Sequence, residues 1–389
     1  LVLGYVPMGF GVDVDPERTA VIKNHILTRV DEEYYTVALA NLNRSAFRIL
    51  PLKKREKYNI VFICEDSLRR DRISFYGGDP TFSPTPYFDE FFKDCYAMDA
   101  VTVSSWTPTV IASMMSGLMP WEHGIIREML SSKGLYKRKA YTRLNKRFKA
   151  ACANMAPVDM FKVMLSGNAW IHPKFGFWHG FNIYLTLLKE QGWKGDSINK
   201  QITHFFDSMK ESNFFLYLHY MDTHQPFNVT EETQMDINKI RAHFPTDPRK
   251  DPMYKWDLAE EICTYNSSVR TCDLYTGNML DLLKEENLMD NTIVAIFGDH
   301  GEELRERNRL AWPRHGHSLY NEQLLIPLLI RVPDELKEHM NTQLEPFKDK
   351  RFHLRHLIPL LHAVSRRERF KPEWFHDTVV SFTGFHCLK

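Results

Sequence analysis

An acid and a histidine stand side by side at the end of an apolar run in residues 291–302. The run is rich in β-branched residues and stops in Gly-Asp-His-Gly-Glu, which places Asp299 next to His300. This composition predicts a strand buried on both faces, and open α/β sheets bind ligands at the carboxyl ends of their strands. Adjacent Asp and His side chains suit a divalent metal. The alternative interpretation is that Asp299 caps a helix and His300 lies on the surface.

Two further apolar runs end in the same kind of side chain. Asp66 follows the run 58–64, and Asp222 and His224 follow the run 213–220. Because the carboxyl ends of parallel strands share one edge of a sheet, these groups can converge on the acid and histidine described above. An oxygen-rich site with one imidazole suits Ca²⁺, Mg²⁺ or Mn²⁺, and the histidine also permits Zn²⁺. The sequence therefore predicts a divalent metal site, in which the identity of the ion stays open.

A hydroxyl stands at the start of a short predicted helix. Thr107 is a favoured N-cap residue, Pro108 a favoured first helical residue, and Gly117 a natural stop. The positive end of a helix attracts anions, and a metal next to Thr107 would lower the pKa of its hydroxyl and make it a nucleophile. That chemistry is hydrolysis or transfer at phosphorus or sulfur. The plainer alternative is that Thr107 only caps the helix.

Bulk composition describes a soluble globular chain that is large enough for one α/β enzyme domain. Of its 389 residues, 43% are hydrophobic and 25% are charged, and 50 Lys and Arg balance 49 Asp and Glu. This balance, without a basic stripe that carries interleaved aromatics, argues against nucleic acid as a partner. No apolar stretch reaches the roughly 20 residues that a membrane span needs.

Apolar runs that read as strands alternate with helical patterns from residue 58 onward. This alternation predicts a mostly parallel sheet with helices on both faces. The longest helix is expected at 256–286, and another at 351–362. Residues 1–57 carry no motif and form an N-terminal extension in which 17–49 could hold one or two helices. We expect one catalytic domain over 58–389.

The motifs and their order resemble the sulfatase-like branch of the alkaline phosphatase superfamily. Residues 59–71 are similar to that family's first strand and its Asp-x-Leu-Arg-x-Asp turn, and 106–117 to its nucleophile helix. Residues 298–302 and 315–320 are similar to its Gly-Asp-His-Gly-Glu and His-Gly-x-Ser-Leu-Tyr segments. The resemblance implies a three-layer α/β/α fold around a mostly parallel central sheet, with a C-terminal subdomain that is short or missing.

The resemblance also implies roles for individual side chains. Those that match the family's metal ligands are Asp66, Thr107, Asp299 and His300. Thr107 also matches the nucleophile, and His224 matches a residue that contacts the anionic group of the substrate. His317 or His315 matches a residue near the leaving group that could serve as general acid. Members with two zinc ions use a different Asp/His spacing, so we favour a single metal and give Asp222 a structural role.

One departure from the family's pattern bears on the substrate. Sulfatases carry Cys or Ser in a Cys/Ser-x-Pro-x-Arg motif and convert it to formylglycine, whereas this chain has Thr107 in that place and Ile111 in place of the Arg. Formylglycine cannot form from Thr. Relatives with Thr here are mainly phosphate-ester hydrolases and phosphoethanolamine or phosphoglycerol transferases, so we favour phosphate esters. The alternatives are a sulfate-ester hydrolase and an inactive member that binds anions.

The implied substrate is an anionic ester, whether of a small molecule, a lipid head group or a glycan. Many members of this branch work outside the cytoplasm, often tethered to a membrane. The resemblance therefore implies an extracytoplasmic location, with any tether lying outside this chain.

Overall fold

The structure is a computed structural model. It describes residues 58–126, 160–187, 193–203, 206–210, 213–244, 247–250, 254–307, 314–377 and 381, together with short strands within 3–49 and 129–138.

The strands and helices are numbered here in chain order. The described strands are β1 (Leu3–Tyr5), β2 (Val12–Asp13), β3 (Leu27–Asp31), β4 (Tyr34–Ala38), β5 (Arg48–Ile49), β6 (Asn59–Glu65), β7 (Tyr96–Ala97), β8 (Ala100–Val101), β9 (Met129–Ser132), β10 (Leu135–Arg138), β11 (Phe161–Ser166), β12 (Ile183–Thr186), β13 (Phe214–Tyr220), β14 (Thr292–Gly298), β15 (Leu325–Ile326), β16 (Leu328–Arg331), β17 (Arg351–His353) and β18 (Phe375–His376). The described α-helices are α1 (Pro86–Phe92), α2 (Thr107–Ser116), α3 (Pro120–His123), α4 (Gly195–Thr203), α5 (Phe206–Met209), α6 (Ile237–His243), α7 (Leu258–Glu285), α8 (Asn321–Leu324), α9 (Asp334–Leu344) and α10 (Leu357–Arg366).

The main sheet is parallel at its centre and antiparallel at its edges. Its order is β3-β4-β1-β12-β11-β13-β6-β14-β16-β7. The five strands from β12 to β14 run parallel to one another, whereas β1 and β16 pair antiparallel on either side. The predicted mostly parallel sheet is confirmed. Its parallel centre places the ends of β11, β13, β6 and β14 along one edge.

Both faces of the central strands are covered, which explains why these strands read as continuous apolar runs. In β6, Val61 packs with the apolar side of α7, including Val269. Phe62, which points to the opposite face, packs with Ile111 of α2 and Leu357 of α10. The predicted three-layer α/β/α architecture and the long helix near 256–286 are therefore confirmed.

Two local predictions are wrong. Helices were expected within 17–49, but β3 and β4 lie there and pair as an antiparallel hairpin that extends the main sheet. Both strands contain Thr and Val, and β4 also has two Tyr, residue types that suit a pleated surface. The helix expected at 351–362 begins only at Leu357, because 351–353 form β17.

A second, smaller sheet lies beside the main one. It has the order β15-β8-β17-β18, and the later part of the chain supplies three of these strands. This four-stranded sheet is the part of a C-terminal subdomain that the described residues show. None of the helices in the described part of the chain combines the length and the apolar character needed to cross a membrane.

Candidate metal centre and active site

Asp66 and Asp299 lie side by side because their strands are neighbours in register. Glu65, the last residue of β6, pairs with Gly298, the last residue of β14. The next residue of each strand is therefore an Asp at the same edge, and both aspartates are fully buried. The backbone N–H of Ser67 donates to Asp299 Oδ1 at 3.1 Å, which ties the two turns together.

Both turns need an unusual backbone. Ser67 adopts a left-handed conformation with φ of 66°, a strained choice for a residue with a side chain that is often found at functional sites. At Gly301 a Cβ would lie 1.9 Å from the carbonyl oxygen of Glu322. Only glycine fits that close approach, which explains the second Gly of the Gly-Asp-His-Gly segment.

The Thr107 hydroxyl points into this acidic site instead of capping its helix. Trp106 is the N-cap of α2, and Thr107 is the first helical residue, so the expectation that Thr107 caps the helix is wrong. Thr107 Oγ1 donates to Asp66 Oδ2 at 3.2 Å and lies 3.2 Å from His300 Nε2. The hydroxyl therefore contacts residues that are distant in sequence, although local propensity favours a threonine here as a helix cap.

His300 directs one ring nitrogen at the two aspartates. Its Nδ1 lies 2.9 Å from the Gly301 carbonyl oxygen, which can accept only from a protonated nitrogen. In the neutral ring this leaves Nε2 with its lone pair, 3.5 Å from Asp299 Oδ2 and 3.9 Å from Asp66 Oδ1. The structure thus brings together all four side chains that the sequence nominated as metal ligands.

His219 also belongs to this site, and the sequence interpretation missed it. Ligand atoms of Asp66, His219 and Asp299 lie within 4.8 Å of one another, close enough to hold one metal ion; among the described residues this is the one such group of three or more His, Cys, Asp or Glu side chains. His219 Nε2 is 3.1 Å from Asp66 Oδ2. The signal was a lone imidazole inside the apolar strand 214–220, which reads equally well as a buried structural histidine.

The donor set fits a divalent cation. Asp299 Oδ2 is buried and has no hydrogen-bond partner among the described residues, as expected of an atom reserved for a ligand. Burial raises the pKa of Asp299, and the nearby Asp66 raises it further. Burial acts in the same direction on Asp66, but neighbouring histidines, His224 foremost, outweigh it and hold its pKa well below the usual range. A divalent ion would reduce the electrostatic repulsion between these two closely spaced carboxylates.

Three more histidines and one glutamate border the centre. The ring of His315 lies 4.6 Å from that of His300 and 5.0 Å from that of His224, centroid to centroid. His315 Nδ1 is 3.0 Å from Glu302 Oε1. Burial raises the pKa of this fully enclosed glutamate to about 7. His317 lies further along the same loop. The sequence interpretation gave no role to Glu302.

Asp222 lies in a separate set of contacts. Its carboxylate accepts from the backbone N–H of Gly195 at 2.9 Å, at the start of α4, and from Asn228 Nδ2 at 2.6 Å. It therefore anchors the loop that carries His224, which agrees with the structural role expected for it.

The fold is alkaline phosphatase-like, and it carries a buried carboxylate–histidine site at the carboxyl edge of its main sheet. The sulfatase family model matches residues 58–351, more than half of the chain, and the chain therefore belongs to the sulfatase family.

Known proteins similar to this chain include both sulfatases and transferases. An endo-4-O-sulfatase of Bacteroides thetaiotaomicron is 30% identical over 120 residues, which are 31% of this chain and 22% of that protein's length. The soluble domain of lipooligosaccharide phosphoethanolamine transferase A from Neisseria meningitidis is 13% identical, with a TM-score of 0.57 over 82% of this chain and 93% of that one. The C-terminal periplasmic domain of EcEptC from Escherichia coli, in a complex with Zn, is 14% identical, with a TM-score of 0.55 over 87% and 95% of the two chains.

Proposed function

We propose that this protein is a metal-dependent hydrolase or transferase of phosphate esters, with Thr107 as its nucleophile. The observation that carries the proposal is the position of Thr107 Oγ1, which lies 3.2 Å from both Asp66 Oδ2 and His300 Nε2 at the start of α2. A threonine in this place cannot become formylglycine, because the methyl group on its Cβ prevents oxidation of the hydroxyl to an aldehyde. The side chain four residues further along, Ile111, is fully buried in the core and brings no cation to the site.

The proposed metal ligands are Asp66, Thr107, Asp299 and His300, with His219 as a further candidate. A bound divalent ion would lower the pKa of the Thr107 hydroxyl and neutralise charge on the substrate. Thr107 Oγ1 attacks the phosphorus, the bond from phosphorus to the leaving oxygen breaks, and a phosphothreonine forms. Water then attacks that intermediate in a hydrolase, and an acceptor alcohol does so in a transferase.

We assign proton donation to the leaving oxygen to His315 rather than His317. The Nδ1 atom of His315 is engaged by Glu302 at 3.0 Å, and its ring is packed between those of His300 and His224. This arrangement of a carboxylate behind an imidazole orients the ring, and we assign proton exchange to its Nε2 atom. The Nε2 atom of His317 lies 3.8 Å from a Glu303 oxygen, a looser contact. We assign contact with the anionic group of the substrate to His224.

A second candidate function is sulfate-ester hydrolysis by the unmodified Thr107 hydroxyl. The family match and the similarity to a carbohydrate sulfatase favour it. An inactive anion-binding protein is a weaker proposal, because Asp66, Thr107, Asp299 and His300 are all present and in contact.

Anionic esters carried by glycans or lipid head groups are the proposed substrates. Similar proteins include the endo-4-O-sulfatase and the lipooligosaccharide phosphoethanolamine transferase. We also propose an extracytoplasmic location, since a similar structure is a periplasmic domain. We assign catalysis to residues 58–389 and regard 1–57 as an N-terminal extension.

Turnover of matched aryl esters tests the proposal. Purified protein loaded in turn with Ca²⁺, Mg²⁺, Mn²⁺ and Zn²⁺ would be assayed on aryl phosphate monoesters, aryl phosphate diesters and aryl sulfate. Faster cleavage of a phosphate ester that Thr107→Ala abolishes supports the first function. Faster cleavage of the sulfate supports the second. Full activity in Thr107→Ala would refute the nucleophile assignment for either ester.

A further inference from the structure

Side chains from β13, from α2 and from the segment after β11 converge on one oxygen of Asp66. Ser166 of β11, His219 of β13 and Cys64 of β6 lie in register across three neighbouring strands. Asn168 follows Ser166 by two residues, and its side chain reaches past β13 to Asp66. The Asp66 site is therefore supported from a strand that does not touch its own.

The contact between Asn168 and Asp66 has only one chemical interpretation. The backbone N–H of Trp170 donates to Asn168 Oδ1 at 2.8 Å, which identifies that atom as the amide oxygen. The amide nitrogen Nδ2 must then face Asp66 Oδ2, at 2.7 Å. Asn168 is buried, and its own backbone N–H donates to Ser166 Oγ at 3.0 Å. Its side chain has no freedom to turn away.

Asp66 Oδ2 is enclosed by three neighbours. Asn168 Nδ2 is the nearest at 2.7 Å, followed by His219 Nε2 at 3.1 Å and Thr107 Oγ1 at 3.2 Å. The other oxygen, Oδ1, accepts from Ser67 Oγ at 3.0 Å. Because Asn168 and His219 contact Oδ2 while Ser67 contacts Oδ1, both carboxylate oxygens are held from the protein side.

We propose that Asn168 is a positioning residue of the metal centre, which holds the Asp66 carboxylate in the orientation that binds the ion. This inference rests on the metal site in the proposed function. Groups that hydrogen bond to a metal ligand typically change metal affinity by about 10- to 100-fold when they are removed. The competing interpretation is that Asn168 merely caps the 3-10 helix Ala169–Ile171 through its contact with Trp170 N–H.

Asn168→Ser separates the two roles. A serine hydroxyl can still accept from an N–H two residues further on, but it is too short to reach Asp66. The matched control is Asn182→Ser, since Asn182 Oδ1 accepts from Lys162 N–H at 2.8 Å near the opposite end of β11. The measurements are the dissociation constant of the ion that wild type binds, by competition with a chelating dye, and urea unfolding in excess chelator.

We expect Asn168→Ser to weaken metal binding by about 10- to 100-fold while its metal-free unfolding midpoint stays near that of wild type. Asn182→Ser should leave metal affinity unchanged. Equal affinity of Asn168→Ser and wild type would overturn the positioning role and leave the metal centre standing. A wild type that binds none of the four ions would instead overturn the metal centre itself. If Asn168→Ser does not fold, Asn168→Ala and Asn168→Thr, measured on their folded fractions, decide by the same comparison.

Discussion

Replacing Asp299 with Asn should stabilise the metal-free protein and abolish the stabilisation that metal binding gives wild type. In wild type, Asp299 Oδ1 accepts from two backbone N–H groups, those of Ser67 and His300, whereas Oδ2 is buried without a partner. An Asn keeps its oxygen in the first position and puts Nδ2 in the second, 3.5 Å from His300 Nε2. The variant therefore removes one buried negative charge beside Asp66 without removing a hydrogen bond.

The size of both effects follows from the site. Relief of the unpartnered buried carboxylate oxygen should stabilise the metal-free variant by about 1–3 kcal/mol. A ligand at about 1,000 times its dissociation constant stabilises the folded state by about 4 kcal/mol, and the variant should lose this gain. With an unfolding entropy of about 2.1 cal/mol/K per residue, 389 residues give about 0.8 kcal/mol/K. The corresponding shifts in Tm are about +1 to +4 °C for the metal-free variant and about 5 °C for metal on wild type.

Thermal unfolding with and without metal measures both shifts. Wild type and Asp299→Asn would be melted in excess chelator and then with the preferred ion at saturation. Asp257→Asn is the control, because Asp257 caps α7 through the Glu260 N–H and should change Tm without changing the response to metal. Equal metal-induced shifts in wild type and Asp299→Asn would refute the assignment of Asp299 as a ligand. A less stable metal-free variant would refute the unpaired-charge argument.

Three further predictions concern catalysis and pH. Thr107→Ala should lower turnover by about 10³-fold or more, and mass spectrometry of acid-quenched reactions should find a phosphoryl group on Thr107 of wild type only; a phosphoryl group on another residue would contradict the assignment. His315→Gln should slow esters with poor leaving groups by about 10²- to 10⁴-fold and nitrophenyl esters far less, whereas His317→Gln should show no such dependence in a leaving-group series. Burial lowers the pKa of His123 to about 4. Below about pH 6.5 the unfolded chain then binds more protons than the folded chain. The contribution of His123 to the free energy of unfolding is therefore complete above that pH and falls by about 3 kcal/mol as the pH drops to about 4. His123→Gln should flatten the decline in urea titrations between pH 7.5 and 4, and an unchanged slope would place the sensitivity elsewhere.

The sequence predicted those features of the fold that depend on a single strand. Apolar runs that stop in acids predicted the ends of β6, β13 and β14, because burial on both faces leaves a pattern that local reading can detect. Because these strands were expected to be parallel, their carboxyl ends were expected to lie along one edge of the sheet. Asp66, Asp299 and His300 were found together for this reason.

Contacts that depend on the order of several strands could not be predicted from the sequence. The position of Asn168 beside Asp66 depends on β13 lying between β11 and β6, and strand order is set by the packing of the whole sheet. His219 and Glu302 were missed because a buried imidazole or carboxylate has the same sequence signal whether it is structural or functional. Local propensity could not decide whether Thr107 caps its helix or contacts Asp66, because it does not register a partner that lies far away in the chain.

The proposed metal centre is assembled from segments that are remote in sequence, and this has a consequence for biogenesis. Ser67 and Asp299, joined by one hydrogen bond, are separated by 232 positions. Closing such a loop costs conformational entropy that only the completed sheet repays. An ion that binds Asp66 and Asp299 together can therefore be retained only after β14 has docked beside β6. During synthesis the metal would be acquired as one of the last events, so metal content of newly made protein would report the fraction of chains that have finished folding.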